Sequence, residues 1–335
     1  MENFKKYIKD IKGEIDKYHY IKEYEFQQDN SLIISLKEYN KIRNKKIVIY
    51  FAGIYFIYEY ISNSKTDGNV ILIGKMIELK KFVNYKTKIP FVHLHTHMEY
   101  SLLDGMLSSK KWVKTIKEKG QNAIALTDHG TLAGIVEFYE EMKKNKIKPI
   151  IGCEIYITPD NYIAPKKLRG YSHLTLLAKN IIGYNTLLKL NTFAQTEGFY
   201  YRPRVSESFL NKNNEGLIIL TGCDSSQFIR YIKNGQFEKS IKLYRHYCDL
   251  VGEDNVYIEL QFHNYERDFI LKGIHYVYKK LLEREYFPKI VITNDCHYPE
   301  KKDFSVYVAV NSIGLNINNI VCDDLFLKSS NEILK

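Results

Sequence analysis

FVHLHTH, residues 91–97, decides how this chain is read. His93, His95 and His97 alternate with Val92, Leu94 and Thr96. An extended strand repeats every two residues, so the imidazoles of His95 and His97 fall on one sheet face at the end of the run. Such a pair is a metal-ligand pattern wherever further donors converge on it.

Outward from that stretch, β-rich runs alternate with helix-like segments, which is the pattern of βα units. Strands are expected at FVHLHTH (91–97), NAIALTD (122–128), KPIIGCEIYI (148–157), SHLTLLA (172–178), GLIILT (216–221), NVYIELQFH (255–263) and KIVITND (289–295). Helices are expected at 109–119, with Trp112, Val113 and Ile116 on one face, and at 132–144, 184–193, 237–251 and 268–285. Seven strands with crossover helices predict an α/β barrel or a strongly curled parallel sheet.

In such barrels side chains from many strands meet at the carboxyl ends. His95 and His97 close the first strand, Asp104 follows by a short loop, and Asp128 and His129 end the second. Glu154 lies in the third, His173 opens the fourth, Cys223 follows the fifth, His263 ends the sixth, and Asp295 and His297 end the seventh. Singly these are weak signals, because a lone strand-end histidine is usually a satisfied polar group and a lone cysteine a small buried hydrophobe. Together they are specific, since packing several acids and imidazoles at one end without a cation is costly. Nitrogen and oxygen donors with one thiolate suit Zn²⁺, Mn²⁺ or Fe²⁺ rather than Ca²⁺. About nine donors at roughly four to six per ion imply two or three ions.

The 335 residues carry a formal charge of +10, which favours a polyanionic partner such as nucleic acid. Heavy use of Lys, Asn, Ile and Tyr is also what an A+T-rich coding sequence yields, so part of the lysine content is compositional. Apolar residues at 45% and charged residues at 26% describe a globular protein. Five cysteines without a CxxC pair speak against a disulfide framework and for a reducing compartment, the cytoplasm. The N-terminus has no apolar signal core. The run from Ile47 to Ile61 is too short to span a bilayer, is interrupted by Glu59, and reads as paired strands turning at Ala52-Gly53. Residues 1–88 read as a small α+β annex: an amphipathic helix with Phe4, Ile8, Ile11, Ile15 and Tyr18 on one face, then strand-like runs at 31–36, 47–60 and 69–77.

FVHLHTHMEYSLLDG (91–105), AIALTDHGTLAGIVEFYEEMKKNKIKPIIGCEIYI (123–157), SHLTLLAKNIIGYNTLLKL (172–190), LIILTGCDSS (217–226) and VITNDCHYPEKKD (291–303) resemble the successive motifs of one known family. That family is the PHP (polymerase and histidinol phosphatase) domain of bacterial DNA polymerase III alpha subunits, and the resemblance covers about residues 90–335. It implies a distorted seven-stranded (β/α)7 barrel over 89–335, preceded by the annex. It also implies a trinuclear site on nine matching positions: His95, His97, Asp104, His129, Glu154, His173, Cys223, Asp295 and His297. All nine are of the family's ligand types, which implies retained hydrolysis, with His95, His97, His129, Glu154, Asp295 and His297 as the catalytic set. His93, Asp128 and His263 fall outside the nine and read as supporting or packing residues. The resemblance ends at LFLKSSNEILK, similar to the family's hinge into the polymerase palm. With no palm aspartates, fingers, thumb or clamp-binding segment found, this chain alone is not expected to polymerise DNA.

The expected substrate is a DNA 3′ end, giving 3′ to 5′ exonuclease activity, and the expected partners are a palm-bearing chain or other replisome components. Lys166, Lys167 and Arg169 in one loop, with Arg202 and Arg204 in YYRPR, are candidates to grip the DNA backbone, and Tyr200 and Tyr201 to stack on bases. Two other functions compete: a non-catalytic, metal-stabilised assembly module, and a phosphomonoesterase acting on a small molecule. The polymerase-type motifs disfavour the last.

Overall fold

The structure, a computed structural model, describes residues 18–21, 25–26, 32–35, 46–51, 54–66, 69–78, 91–163, 168–261, 267–315 and 322–333. The chain separates into two units, residues 1–86 with 334–335 and residues 87–333. In the first, the β-branched and aromatic runs pair into one sheet of β1 (Tyr18–Ile21), β2 (Glu25–Phe26), β3 (Leu32–Ser35), β4 (Lys46–Phe51), β5 (Ile54–Thr66) and β6 (Asn69–Glu78), in the order β1-β4-β5-β6-β3-β2. β4 and β5 are antiparallel, with Phe51 opposite Ile54. The helix expected near the N-terminus lies outside the described residues.

The second unit holds β7 (Ala123–Leu126), β8 (Lys148–Thr158), β9 (Ser172–Ala178), β10 (Phe199–Tyr200), β11 (Arg202–Ser206), β12 (Leu217–Leu220), β13 (Val256–Gln261) and β14 (Lys289–Thr293). Pairing runs β10-β11-β8-β9-β12-β13-β14, with β7 also on β8. Residues 91–97 complete the ring through isolated bridges, His93 to Ile124 on one side and Thr96 to Cys296 on the other. The result is a curled, distorted seven-membered barrel.

Two expectations need correction. Residues 91–97 are not a regular strand: the Thr96 amide donates to Thr127 Oγ1 at 2.9 Å and the Thr96 hydroxyl donates to the Ala125 carbonyl, so side chains replace ladder bonds. Nor is the sheet wholly parallel. β9 is antiparallel to both β8 and β12. Only a single helical turn, Asp160–Tyr162, is described between β8 and β9, and an antiparallel neighbour needs no crossover helix.

The helices are α1 (Ser109–Glu118), α2 (Ile135–Lys144), α3 (Ile181–Thr196), α4 (Glu207–Lys212), α5 (Gln227–Lys233), α6 (Phe237–Val251), α7 (Arg267–Leu282), α8 (Phe304–Leu315) and α9 (Ser330–Ile333). α1 buries Trp112, Val113 and Ile116, and the Trp112 indole donates to the Met106 carbonyl at 2.8 Å. Among the described residues no helix is long and apolar enough to cross a membrane.

Leu94, Ala125, Ile150, Leu177, Ile218, Leu220, Tyr257 and Val291, at least one from each member of the ring, pack into one cluster, which places them inside it. Each fully buried aliphatic side chain there contributes about 1.5–3 kcal/mol. Counting by twos from this layer leads to Gly152, Thr175, Glu259 and Thr293, and then to Glu154, His173 and Asp295. An apolar plug thus supports a polar layer, and the polar layer supports the candidate ligands.

Candidate metal centre

The reversed direction of β9 explains why His173, at the start of its strand, meets candidates carried at or beyond the ends of other strands and, for Glu154, within β8. At that end each of the nine residues lies within 3.6 Å of another. Asp104 Oδ2 is 2.8 Å from His129 Nε2 and 3.2 Å from His297 Nε2. Asp295 Oδ1 is 3.3 Å from His95 Nε2 and 3.2 Å from His97 Nε2. Glu154 stands between the groups: Oε1 is 3.2 Å from both His173 Nδ1 and Cys223 Sγ, and Oε2 is 2.7 Å from His129 Nδ1 and 3.6 Å from His97 Nε2.

Three of the imidazoles are oriented by what holds Nδ1. His95 Nδ1 donates to Glu259 Oε1 at 2.7 Å, and His297 Nδ1 donates to the Asp295 carbonyl at 2.7 Å. Ser101 gives its hydroxyl proton to Asp128 at 2.8 Å, so it accepts from His97 Nδ1 at 3.1 Å. All three turn Nε2 into the cluster, where a cation can take the place of a proton. Asp104 reaches the cluster because the SLLDG loop folds tightly. A Cβ on Gly105 would sit 2.1 Å from the Met98 carbonyl oxygen, an approach only glycine allows. Asp295 has a φ of 49°, a left-handed conformation that aspartate tolerates better than most residues, and it turns the chain so that residues 295 and 297 both face inward.

Several of these atoms are near one another without being hydrogen-bonded. His95 Nε2, His97 Nε2, His129 Nδ1, Glu154 Oε2 and Asp295 Oδ1 are buried and have no hydrogen-bond partner. Donors around a four-coordinate ion with bonds of about 2.1 Å stand roughly 3.4 Å apart. Three overlapping groups bring ligand atoms within 4.8 Å of one another: His97, His129 and His297; His95, His97 and Glu154; and His129, Glu154 and His173. The donor set therefore suits divalent cations.

Electrostatics agree. Burial disfavours charge on His95, yet the carboxylates of Asp295, Glu259 and Glu154 hold it well above the usual imidazole range. Against the same burial, Glu154 and Asp104 raise His129 to about 10, and Asp104 and Asp295 raise His297 to about 9. Burial and the neighbouring His129 depress His97 to about 3, leaving it neutral. Burial and Glu154 push the Cys223 thiol up, so it stays protonated unless a cation displaces the proton.

Around the nine, Asp128 accepts from the Met98 amide and from Ser101, and His93 is buried against the Lys328 carbonyl and Cys296 Sγ. His263, Lys166 and Lys167 lie outside the described residues. Arg169 is exposed over the Tyr201 ring at 4.0 Å, and Arg202 is half-buried over the Tyr156 ring at 5.7 Å. Arg204 is a correction. It is buried, and its guanidinium donates to the carbonyls of Gly198, Leu168 and Tyr162, so it holds loops together and is not free for a DNA backbone. Glu259 is the residue that sequence reasoning missed. An acid in the apolar strand VYIELQ, two positions beyond an inward-facing residue, was the available signal.

An α/β barrel with clustered histidine, carboxylate and thiol donors at its strand ends has the architecture of a metal-dependent hydrolase. Residues 93–263 match the PHP domain, and the chain belongs to that family. It is 37% identical over 256 residues to the DNA polymerase III subunit alpha of Treponema pallidum, covering 73% of this chain and 22% of the relative. The corresponding protein of Thermus aquaticus is 33% identical over 260 residues, with 74% and 21% covered. That of Aquifex aeolicus is 37% identical over 222 residues, with 64% and 19% covered. The chain spans about a fifth of the length of these curated relatives.

Proposed function

We propose that this chain is the PHP portion of a DNA polymerase III alpha-type replicative polymerase and removes nucleotides from DNA 3′ ends by hydrolysing phosphodiester bonds. Residues 1–88 form its annex and 89–335 its catalytic domain, working in the cytoplasm beside a palm-bearing chain or other replisome components. The observation that carries this reading is Glu154, whose two oxygens face different sets of donors as a carboxylate shared between ions would.

His95, His97, His129, Glu154, Asp295 and His297 hold the catalytic cations, and Asp104, His173 and Cys223 complete the set, for two or three ions of Zn²⁺ or Mn²⁺, with Fe²⁺ as a third candidate. Bound there, divalent ions lower the pKa of water and neutralise charge on a phosphodiester. The chain's own contribution is orientation: Glu259, Ser101 and the Asp295 carbonyl fix three imidazoles. Arg169 and Arg202, with Lys166 and Lys167, attract the DNA backbone.

The test is digestion of 3′-labelled single-stranded and mismatched primer DNA with Mn²⁺, Zn²⁺ or chelator. Release of label with metal, abolished by chelator and by His129→Ala or Asp295→Ala, is expected. Full retention in every metal would overturn the reading in favour of a metal-stabilised assembly module.

A further inference from the structure

Two arginines of β11 stand two residues apart and meet different fates. Arg204 is buried and donates to three backbone carbonyls. Arg202 has no hydrogen-bond or ion-pair partner among the described residues, although it is half-buried. Its guanidinium lies 5.7 Å from the centre of the Tyr156 ring. That ring is held on its other sides: it stacks on His129 at 5.8 Å and 19°, and meets His173 edge-on at 5.2 Å and Tyr171 at 4.9 Å. Tyr156 is a platform bordered by two of the candidate ligands, and Arg202 is a cation over the same ring. An arginine stacked on an aromatic face still has its planar fork of donors free for a phosphate. Partly buried and with no ion-paired acid among the described residues, such a group calls for an anion from outside.

We propose that Arg202, seated on Tyr156, binds the phosphate of the nucleotide next to the one being removed, so that the centre selects a polynucleotide over a single phosphate ester. The proposal rests on the phosphodiesterase reading above and specifies its substrate. The donor cluster and Arg202 border the same Tyr156 ring, the cluster through His129 and His173. Only a ligand with a second, linked phosphate occupies both places, and a phosphomonoester leaves Arg202 unused.

The experiment uses the full chain loaded with Mn²⁺ and compares wild type with Arg202→Gln and Arg202→Lys. An oligo-dT with a free 3′ end and bis(p-nitrophenyl) phosphate serve as the two substrates. Arg202→Gln is expected to raise KM for the oligonucleotide about tenfold more than KM for the small diester, with Arg202→Lys recovering part of the difference. Anisotropy of a phosphorothioate-protected, labelled oligo-dT reads binding without turnover. There the slope of log K against log salt should flatten by about 0.7, the loss of one single-strand phosphate contact. Equal KM changes for both substrates, or an unchanged salt slope, would overturn the proposal. If neither substrate is hydrolysed by wild type, the catalytic reading fails, and the salt slope alone then decides whether Arg202 contacts a backbone phosphate.

Discussion

Nδ1 of His95 lies 2.7 Å from Oε1 of Glu259, and this contact sets which nitrogen His95 turns toward the cluster. Glu259 is itself fixed, accepting from the Gly222 amide at 3.0 Å and the Thr293 hydroxyl at 2.5 Å. A carboxylate behind a ligand imidazole fixes its tautomer and raises its basicity. Glu259→Gln, which preserves shape, is predicted to weaken cation binding by about 10–100-fold. Competition against a chromophoric chelator measures this, and wild-type affinity in the variant would remove Glu259 from the account.

The histidines give the centre a pH dependence with a definite sign. Without a cation, His129 at about 10 and His297 at about 9 are raised above the unfolded value of about 6.5. Their contribution to stability is then complete below about pH 6.5 and is lost as pH rises through about 9–10. Cations compete for the same nitrogens, so binding releases protons and strengthens with pH. Melting of the chelated protein should fall between pH 7 and 10, while the added stability from Zn²⁺ or Mn²⁺ grows. A chelated protein equally stable at both pH values would contradict the assignment.

Cys223 donates to Glu154 from a thiol that burial keeps protonated, and a soft cation is the partner that displaces such a proton. Cys223→Ser is expected to lower Zn²⁺ affinity at least tenfold more than Mn²⁺ affinity. Parallel titrations of the two ions check it, equal losses being the contrary result.

Arg204→Ala should act on the fold. Removing a buried guanidinium takes a donor from three carbonyls, of which that of Tyr162 keeps the Leu168 amide at 3.3 Å, a cost of about 3 kcal/mol. Denaturant unfolding should show that loss, with oligonucleotide affinity of the folded variant changed less than twofold. A large loss of affinity at unchanged stability would return Arg204 to the DNA-binding group.

Much of this was legible in the sequence because barrel strands alternate strictly. The period of two in β8, β9 and β14 carries Ile150 to Glu154, Leu177 to His173 and Val291 to Asp295, so apolar plug and donors share a parity. The helix over 109–119 followed from Trp112, Val113 and Ile116 on one face. The direction of β9 was harder, since strand propensity carries no orientation. Yet His173 at the start of its strand was a clue, because only an antiparallel strand begins at the end where its neighbours finish. The fate of Arg204 could not be read locally. The carbonyls it binds belong to residues 162, 168 and 198, brought together only by the fold.

These donors are expected to hold more than one ion, with Glu154 shared between them, and the metal content of the purified chain measures this. Native mass spectrometry after loading with Zn²⁺ or Mn²⁺ should show two or three ions per wild-type chain and at least one fewer in Glu154→Gln. A wild-type chain that saturates with one ion or none would contradict the account.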